Sequence, residues 1–359
     1  MKYRILAIFL VVIIAVTIIG TISASARSSP EFKWKLAASW TGDNLAYSKG
    51  AVAICDRVAE LSHGRLVIKP YPAGKLADPF GVFDAVSSGQ VEVGHSWPAY
   101  WRDKNPAFEL FSSIPNNMVS QEWPIWLYGP SQGIDFWQKL YAKYNLVPFP
   151  GALAGPEFGY FTTKPLRTLE DFKGMRIRAV GMATDVLKEL GAIPVMTAQG
   201  EIIAALEEGL IDGFEYGSPV IDWGIGFGSK ITPYVTLPPW HQPSTMYEIM
   251  VNKDAWNKLP QDLQAIFEAA CKEVSIVDFP AYEEGLNPDY QQKYIEGGMQ
   301  VFVLDRETIN TISKITDSLA NAQAAEDAFY ARVLQSQRDF KYNYRTWEPW
   351  SHFEVYSKK

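Results

Sequence analysis

Residues 171–219 read DFKGMRIRAVGMATDVLKELGAIPVMTAQGEIIAALEEGLIDGFEYGSP, and this stretch restricts the fold more than any other. Residues 175–180 alternate in the way of a strand buried on one face, and Gly181 breaks the run. Met182, Val186 and Leu190 then recur at i, i+4 and i+8, the stripe of a short helix. Gly191 stands where a glycine closes a helix, with Pro194 just beyond. Residues 201–208 give a second helix ended by Gly209, and residues 210–214 a strand running into Glu215-Tyr216. Strand–helix–strand–helix–strand is the wiring of an open α/β layer.

Arg178 falls at the carboxyl end of the first of these strands, just ahead of a helix N-terminus. Ligands of open α/β sheets bind at that edge, and helix N-termini favour anions. A guanidinium there can grip a carboxylate through two parallel hydrogen bonds. The plainer reading is a surface arginine at a strand end. By the period of two, Arg176 points to the opposite face.

The segment LEDFKGMRIRAVG…LKELGAIPVMTAQGEIIAALEEGLIDGFE closely resembles the DctP-type solute-binding proteins of tripartite ATP-independent periplasmic (TRAP) transporters. The likeness covers most of residues 32–345 and is densest over 169–219. It implies a two-lobed fold with a ligand cleft between the lobes, and it makes Arg178 the partner of the ligand carboxylate.

At the front, Met1-Lys2-Tyr3-Arg4 is basic, residues 5–19 are apolar except Thr17, and Ala24-Ser25-Ala26 is a small-residue cleavage pattern. This is a signal peptide over residues 1–26, with an uncleaved membrane anchor as the alternative. About 330 residues remain, enough for two domains. The net charge of −7 and unclustered basic residues leave nucleic acid no electrostatic footprint. The two cysteines, Cys55 and Cys271, fall on amphipathic helical patterns and are expected as buried thiols, although a secreted chain can form a disulfide.

Residues 33–39, 44–62, 66–71, 79–88 and 91–95 form another β-α-β-α-β series, so the chain holds two α/β halves. By the same edge rule Trp40, after the first strand, and Trp97 and Tyr100, after the third, are candidate cleft residues. Aromatic residues make up 14% of the chain, which suits a ring-walled pocket and equally a large core. Residues 151–156 are small and read as a flexible crossover into the second half. Glu157 follows as a polar liner or a solvated residue. Phe158 beside it is a further candidate ligand contact; sialic-acid-binding relatives carry an arginine near this position, and its absence here counts against such a ligand.

Glu215-Tyr216 and Trp240-His241-Gln242 each follow a strand at the cleft edge. They resemble the metal-ligand segments of TRAP proteins that bind 2-oxo acids or lactate, with Trp240 as a further ligand contact. Glu215, Tyr216 and Gln242 would then hold calcium or sodium, which accept carboxylate, amide and carbonyl oxygens. Gln242 stands where an acid is common, which weakens the cation case. The structural alternative is an ordinary ion pair and a turn residue. The glycines at 224, 226 and 228 lack the strand-then-helix context of a nucleotide loop. No zinc-protease, nucleophile-elbow, Walker or C-x-x-C motif occurs, and His63, His95, His241 and His352 lack ligand spacing.

The architecture expected is α/β and two-lobed, braced by long helices. Residues 30–153 plus 245–281 would form one lobe, 154–244 plus 282–345 the other, and 346–359 a peripheral tail. The function expected is capture of a small organic acid, a 2-oxo or 2-hydroxy monocarboxylate before others, in the periplasm. The permease subunits of a TRAP transporter would receive it. No cofactor is required beyond a bridging calcium or sodium ion, and a homodimer is compatible. The alternatives are a receptor for an aromatic acid, a dicarboxylate or a polyol, an ABC-type receptor, or a periplasmic enzyme.

Overall fold

The computed structural model describes residues 30–227 and 232–351, and the expected signal peptide lies outside them. Two sheets organise these residues. The first is β1 (Phe32–Ala38), β2 (Leu66–Tyr71), β3 (Val93–Ser96), β4 (Leu146–Ala154) and, from far along the chain, β10 (Thr245–Asn252), in the order β2-β1-β3-β10-β4. The second holds β5 (Tyr160–Thr162), β6 (Arg176–Arg178), β7 (Ile193–Val195), β8 (Gly213–Phe214), β9 (Tyr234–Leu237) and β11 (Gln300–Val303), in the order β11-β9-β5-β8-β6-β7. β1, β2 and β3 run parallel, as do β6, β7 and β8, which is what helical crossovers impose.

β10 is antiparallel to both β3 and β4, so the chain returns from the second sheet to complete the first. The segments joining the sheets are therefore 154–160 and 237–245. They lie side by side, since the Glu157 N–H donates to the Gln242 carbonyl at 3.3 Å. A third crossing is helical. Gln261–Glu273 packs on the first sheet, passes through a π-helical turn at Val274–Asp278, and continues as Phe279–Glu296 towards β11.

Several boundaries differ from the sequence reading. The helix expected over 44–62 begins as a π-helical run, Ala46–Val52, before regular Ala53–Leu61. β4 continues through residues expected to be flexible, and Gly151 explains why. A Cβ there would lie 2.5 Å from the Glu248 carbonyl carbon, so glycine lets β4 and β10 meet at an irregularity in their register. Residues 346–351 of the expected tail are the end of the helix Ala328–Ser351, and 352–359 lie outside the described residues. That helix packs on the first half: Tyr330, Val333 and Leu334 share a core with Trp123, Trp126 and Trp137. Arg345 forks onto Glu122 at 2.7 and 2.8 Å. Cys55 and Cys271 are buried, unbridged thiols in one core.

Candidate functional site

β6 is only three residues long, flanked by β7 and β8, and ends on Arg178 opposite Val195 and Phe214. The Arg178 side chain is 2% exposed. Its Nε donates to the Thr197 carbonyl at 3.2 Å, and Nη1 donates to the Glu215 carbonyl at 2.7 Å and to Glu215 Oε1 at 2.8 Å. The Tyr216 ring lies 5.3 Å from the guanidinium carbon, and Tyr100 lines the same cavity. Arg176 points the other way and pairs with Asp212 at the surface through Nε and Nη2.

Both crossings between the sheets deliver polar side chains to this point. Glu157 is 5% exposed, so the solvated alternative does not hold. Its Oε2 sits 2.7 Å from His241 Nε2, and Gln242 Nε2 donates to Glu215 Oε2 at 3.3 Å. Glu157, Glu215 and His241 each bring a ligand atom within 4.8 Å of the others. Burial pushes the carboxyl of Glu157 up to about 8 and that of Glu215 up to about 7, against the opposing pull of Arg178. Burial lowers His241 to about 4, which keeps the imidazole neutral. Its Nδ1 is buried without a hydrogen-bond partner.

The site is thus a pair of buried carboxyls, one buried guanidinium and a neutral imidazole. Such a set suits a hard cation, since two carboxylates supply oxygens; the Gln242 amide turns its NH2 to Glu215 and its oxygen to Thr245 Oγ1 at 2.7 Å. The cluster shares Glu215 with the sequence expectation, and Gln242 is its immediate neighbour. Tyr216 supplies no side-chain ligand, because its hydroxyl donates to Gln199 Oε1 at 2.9 Å and accepts from Asn44 Nδ2 at 3.1 Å. His241 was invisible in the sequence as a ligand, being 84 residues from Glu157.

Trp40, Trp97, Tyr100 and Tyr247 close over Arg178, with Val180 and Thr245 completing a cavity of about 20 Å³. That is room for roughly one water, so the structure is closed tightly over its polar centre. Trp40 is fixed by a 2.7 Å hydrogen bond from Nε1 to His95 Nδ1. Two expected contacts lie elsewhere. Trp240 stacks on Tyr160, centroids 5.5 Å apart, and belongs to the core of the second half. Phe158 packs against Phe161 and Tyr294. In both cases the ring is buried in a hydrophobic cluster, where its area stabilises the fold, and a neighbouring polar residue takes the cleft.

Residues 37–327 match the DctP family, bacterial extracellular solute-binding protein, family 7. The chain belongs to this family. Among relatives of this DctP-family chain is a monocarboxylate 2-oxoacid-binding periplasmic protein of Nostoc, 31% identical over 318 residues, covering 89% of this chain and 86% of that one. Similar solved structures include a TRAP solute-binding protein of Bordetella bronchiseptica with copurified calcium and picolinate, described as a mixed-occupancy dimer. It is 29% identical with a TM-score of 0.86, covering 90% of this chain and 95% of that one. Another is a TRAP periplasmic solute-binding protein of Pseudoalteromonas atlantica with bound sodium and pyruvate, 31% identical with a TM-score of 0.85, covering 91% and 99%. The fold of this DctP-family protein is therefore the two-lobed α/β fold of TRAP solute-binding proteins.

The two lobes of the DctP-family chain are tied together beside the cavity. Arg102, following β3, sends Nη2 to Asp185 Oδ2 at 2.7 Å, and Nη1 to the Gly181 carbonyl at 3.2 Å and Thr184 Oγ1 at 3.3 Å. Its Nε lies 3.2 Å from Glu109 Oε2 on its own side. Gly181, at φ +64°, takes a left-handed conformation that favours glycine, and lies against the edge of the Trp97 ring. These contacts exist only with the lobes together. Arg102→Ala should therefore speed ligand dissociation and leave association nearly unchanged. Arg102 and Asp185 are about one-third exposed, so the loss should be about 1 kcal/mol, roughly fivefold in affinity. Stopped-flow kinetics would measure it, and an unchanged dissociation rate would remove Arg102 from the closing contacts.

Proposed function

We propose that this protein captures a small 2-oxo or 2-hydroxy monocarboxylate outside the cytoplasm and delivers it to the membrane permease of a TRAP transporter. The observation that carries the reading is Arg178, a fully buried cation at a strand end, facing two buried carboxyls in a cavity of about 20 Å³. A carboxylate would engage the guanidinium edge, near the Tyr100 hydroxyl. The ligand's 2-oxygen and one carboxylate oxygen would chelate a calcium or sodium ion held by Glu157 and Glu215, with His241 and Gln242 beside them. The cation supplies positive charge where acid groups converge. The relatives' pyruvate, picolinate, calcium and sodium support this reading, since both acids offer a carboxylate and an adjacent second donor.

The lobes would part at the crossings 154–160 and 237–245 and at the helical crossing, with residues 328–351 moving with the first lobe. Family membership supports a periplasmic location, reached through the leader at residues 1–26. Among the described residues no helix is long and apolar enough to cross a membrane. A homodimer, suggested by the Bordetella relative, is part of the proposal.

Pyruvate, lactate and 2-oxobutyrate should raise the melting temperature by several degrees when present at about a hundred times Kd, because binding then adds about 2.7 kcal/mol to folding. Sugars and polyols should leave it unchanged. A response confined to a neutral sugar would overturn the organic-acid reading, and conversion of the acid to another compound during incubation would favour an enzyme.

A further inference from the structure

Beside the ligand cavity lies a second, open space of about 500 Å³ between the lobes, bordered by Phe80, Lys104 and Lys188. The two spaces have two lining residues in common, Tyr100 from the first lobe and Val180 from the second. They are therefore divided by a thin wall that forms when the lobes meet. We propose that Tyr100, backed by Val180, sets the length of acid this protein accepts. The inference rests on the 2-oxo acid reading above and deepens it.

The other ring walls are held more firmly. Trp40 is held by its hydrogen bond to His95, and Tyr247 packs edge-on against Trp40 at 5.1 Å. Trp97 rests on Gly181. Each of these rings is buried, and displacing one would open the core. Tyr100 is half-buried, on a short 3-10 turn, with its ring between Phe80 at 4.9 Å and Trp97 at 5.3 Å. A chain growing from a carboxylate anchored at Arg178 meets fixed rings in other directions and Tyr100 in this one. Beyond Tyr100 there is space for a long tail, while on the near side there is almost none. Its ring contacts with Phe80, Trp97 and Trp40 hold it in place.

The hydroxyl and the ring are separable. Tyr100→Phe keeps the wall and loses the hydroxyl, while Tyr100→Ala removes the wall. Calorimetry with pyruvate, 2-oxobutyrate, 2-oxopentanoate and 2-oxooctanoate on both variants and the wild type is the test. In wild type and Tyr100→Phe, affinity should fall as the chain lengthens. In Tyr100→Ala the ratio of 2-oxooctanoate to pyruvate affinity should rise by roughly tenfold or more, the scale of a few methylenes gaining a pocket. Val180→Ala thins the same wall from the other lobe and should shift the ratio in the same direction, by less, should Tyr100→Ala fail to fold. Wild-type binding of pyruvate with length profiles that stay parallel in every folded variant would overturn this inference alone. Equal wild-type affinity for 2-oxooctanoate and pyruvate would also overturn it. Failure of the wild type to bind any acid of the series would sink the functional reading, and this inference with it.

Discussion

Chelating hard cations from the protein should weaken its binding of pyruvate by roughly ten- to a hundredfold at pH 8, from the 1.5–3 kcal/mol of a charge-assisted contact. The charges at the site give the reason. Glu157 and Glu215 oppose one guanidinium, and an arriving carboxylate adds a third negative charge. With both acids ionised the set is two charges short of neutral, in a place where burial multiplies every electrostatic term. One calcium ion corrects this, and so does sodium with one retained proton. Without a cation, protons must do it. Burial raises both carboxyls, to about 8 and about 7, so each binds a proton more tightly folded than unfolded. Ligand affinity of the chelated protein should therefore be highest below about pH 6 and fall as pH rises through 7 to 8. Added calcium should remove that fall and release protons on binding, visible as a buffer-dependent heat. Glu215→Gln should abolish the calcium response. Identical affinity with and without chelation at pH 6 and at pH 8 would exclude a cation from ligand binding.

The strand carrying Arg178 was legible because its signals are local. Alternation fixes the face, Gly181 fixes the end, and Gly191 with Pro194 fixes the following helix boundary. The same reasoning separated Arg176, now on Asp212, from Arg178. The acid pair was not legible in that way. Glu157 stands in GPEFGY, a stretch with no period, and nothing local says that the crossing 237–245 will cover it. Residues 240–242 form a turn, where no alternation rule decides which side chain faces the cleft. The resemblance offered both Trp240 and Gln242; Trp240 turns into the core, and His241 joins Gln242 beside the carboxyls. Likewise residues 151–156 looked like a flexible crossover. The close approach of Glu248, almost a hundred residues later in the chain, is what requires a glycine inside a strand.

Arg178→Lys should bind pyruvate almost as poorly as Arg178→Ala, even though lysine keeps the charge. The planar fork already spends Nε on the Thr197 carbonyl and Nη1 on Glu215, and a third nitrogen remains for the ligand. An ammonium has one nitrogen and no fixed plane, so it cannot hold Thr197, Glu215 and a carboxylate together. Removing one member of a desolvated ion pair leaves the other uncompensated at about 3–5 kcal/mol. Affinity should fall by roughly a hundredfold to several thousandfold. Part of that cost falls on Glu215, which in Arg178→Ala loses its cation in a fully buried position, so that variant should also melt lower than wild type without ligand. Raising the pH from 6 to 8 should widen the melting difference between Arg178→Ala and wild type, because without Arg178 the buried Glu215 carboxyl is pushed higher still and must hold its proton through a range in which the wild-type carboxyl gives it up. Arg176→Ala is the control. Its partner Asp212 is at the surface, and pyruvate affinity should stay within about twofold of wild type. Calorimetry on the three variants decides the matter. Loss of binding in Arg176→Ala together with its retention in Arg178→Ala would mean that the carboxylate is held on the other face of β6.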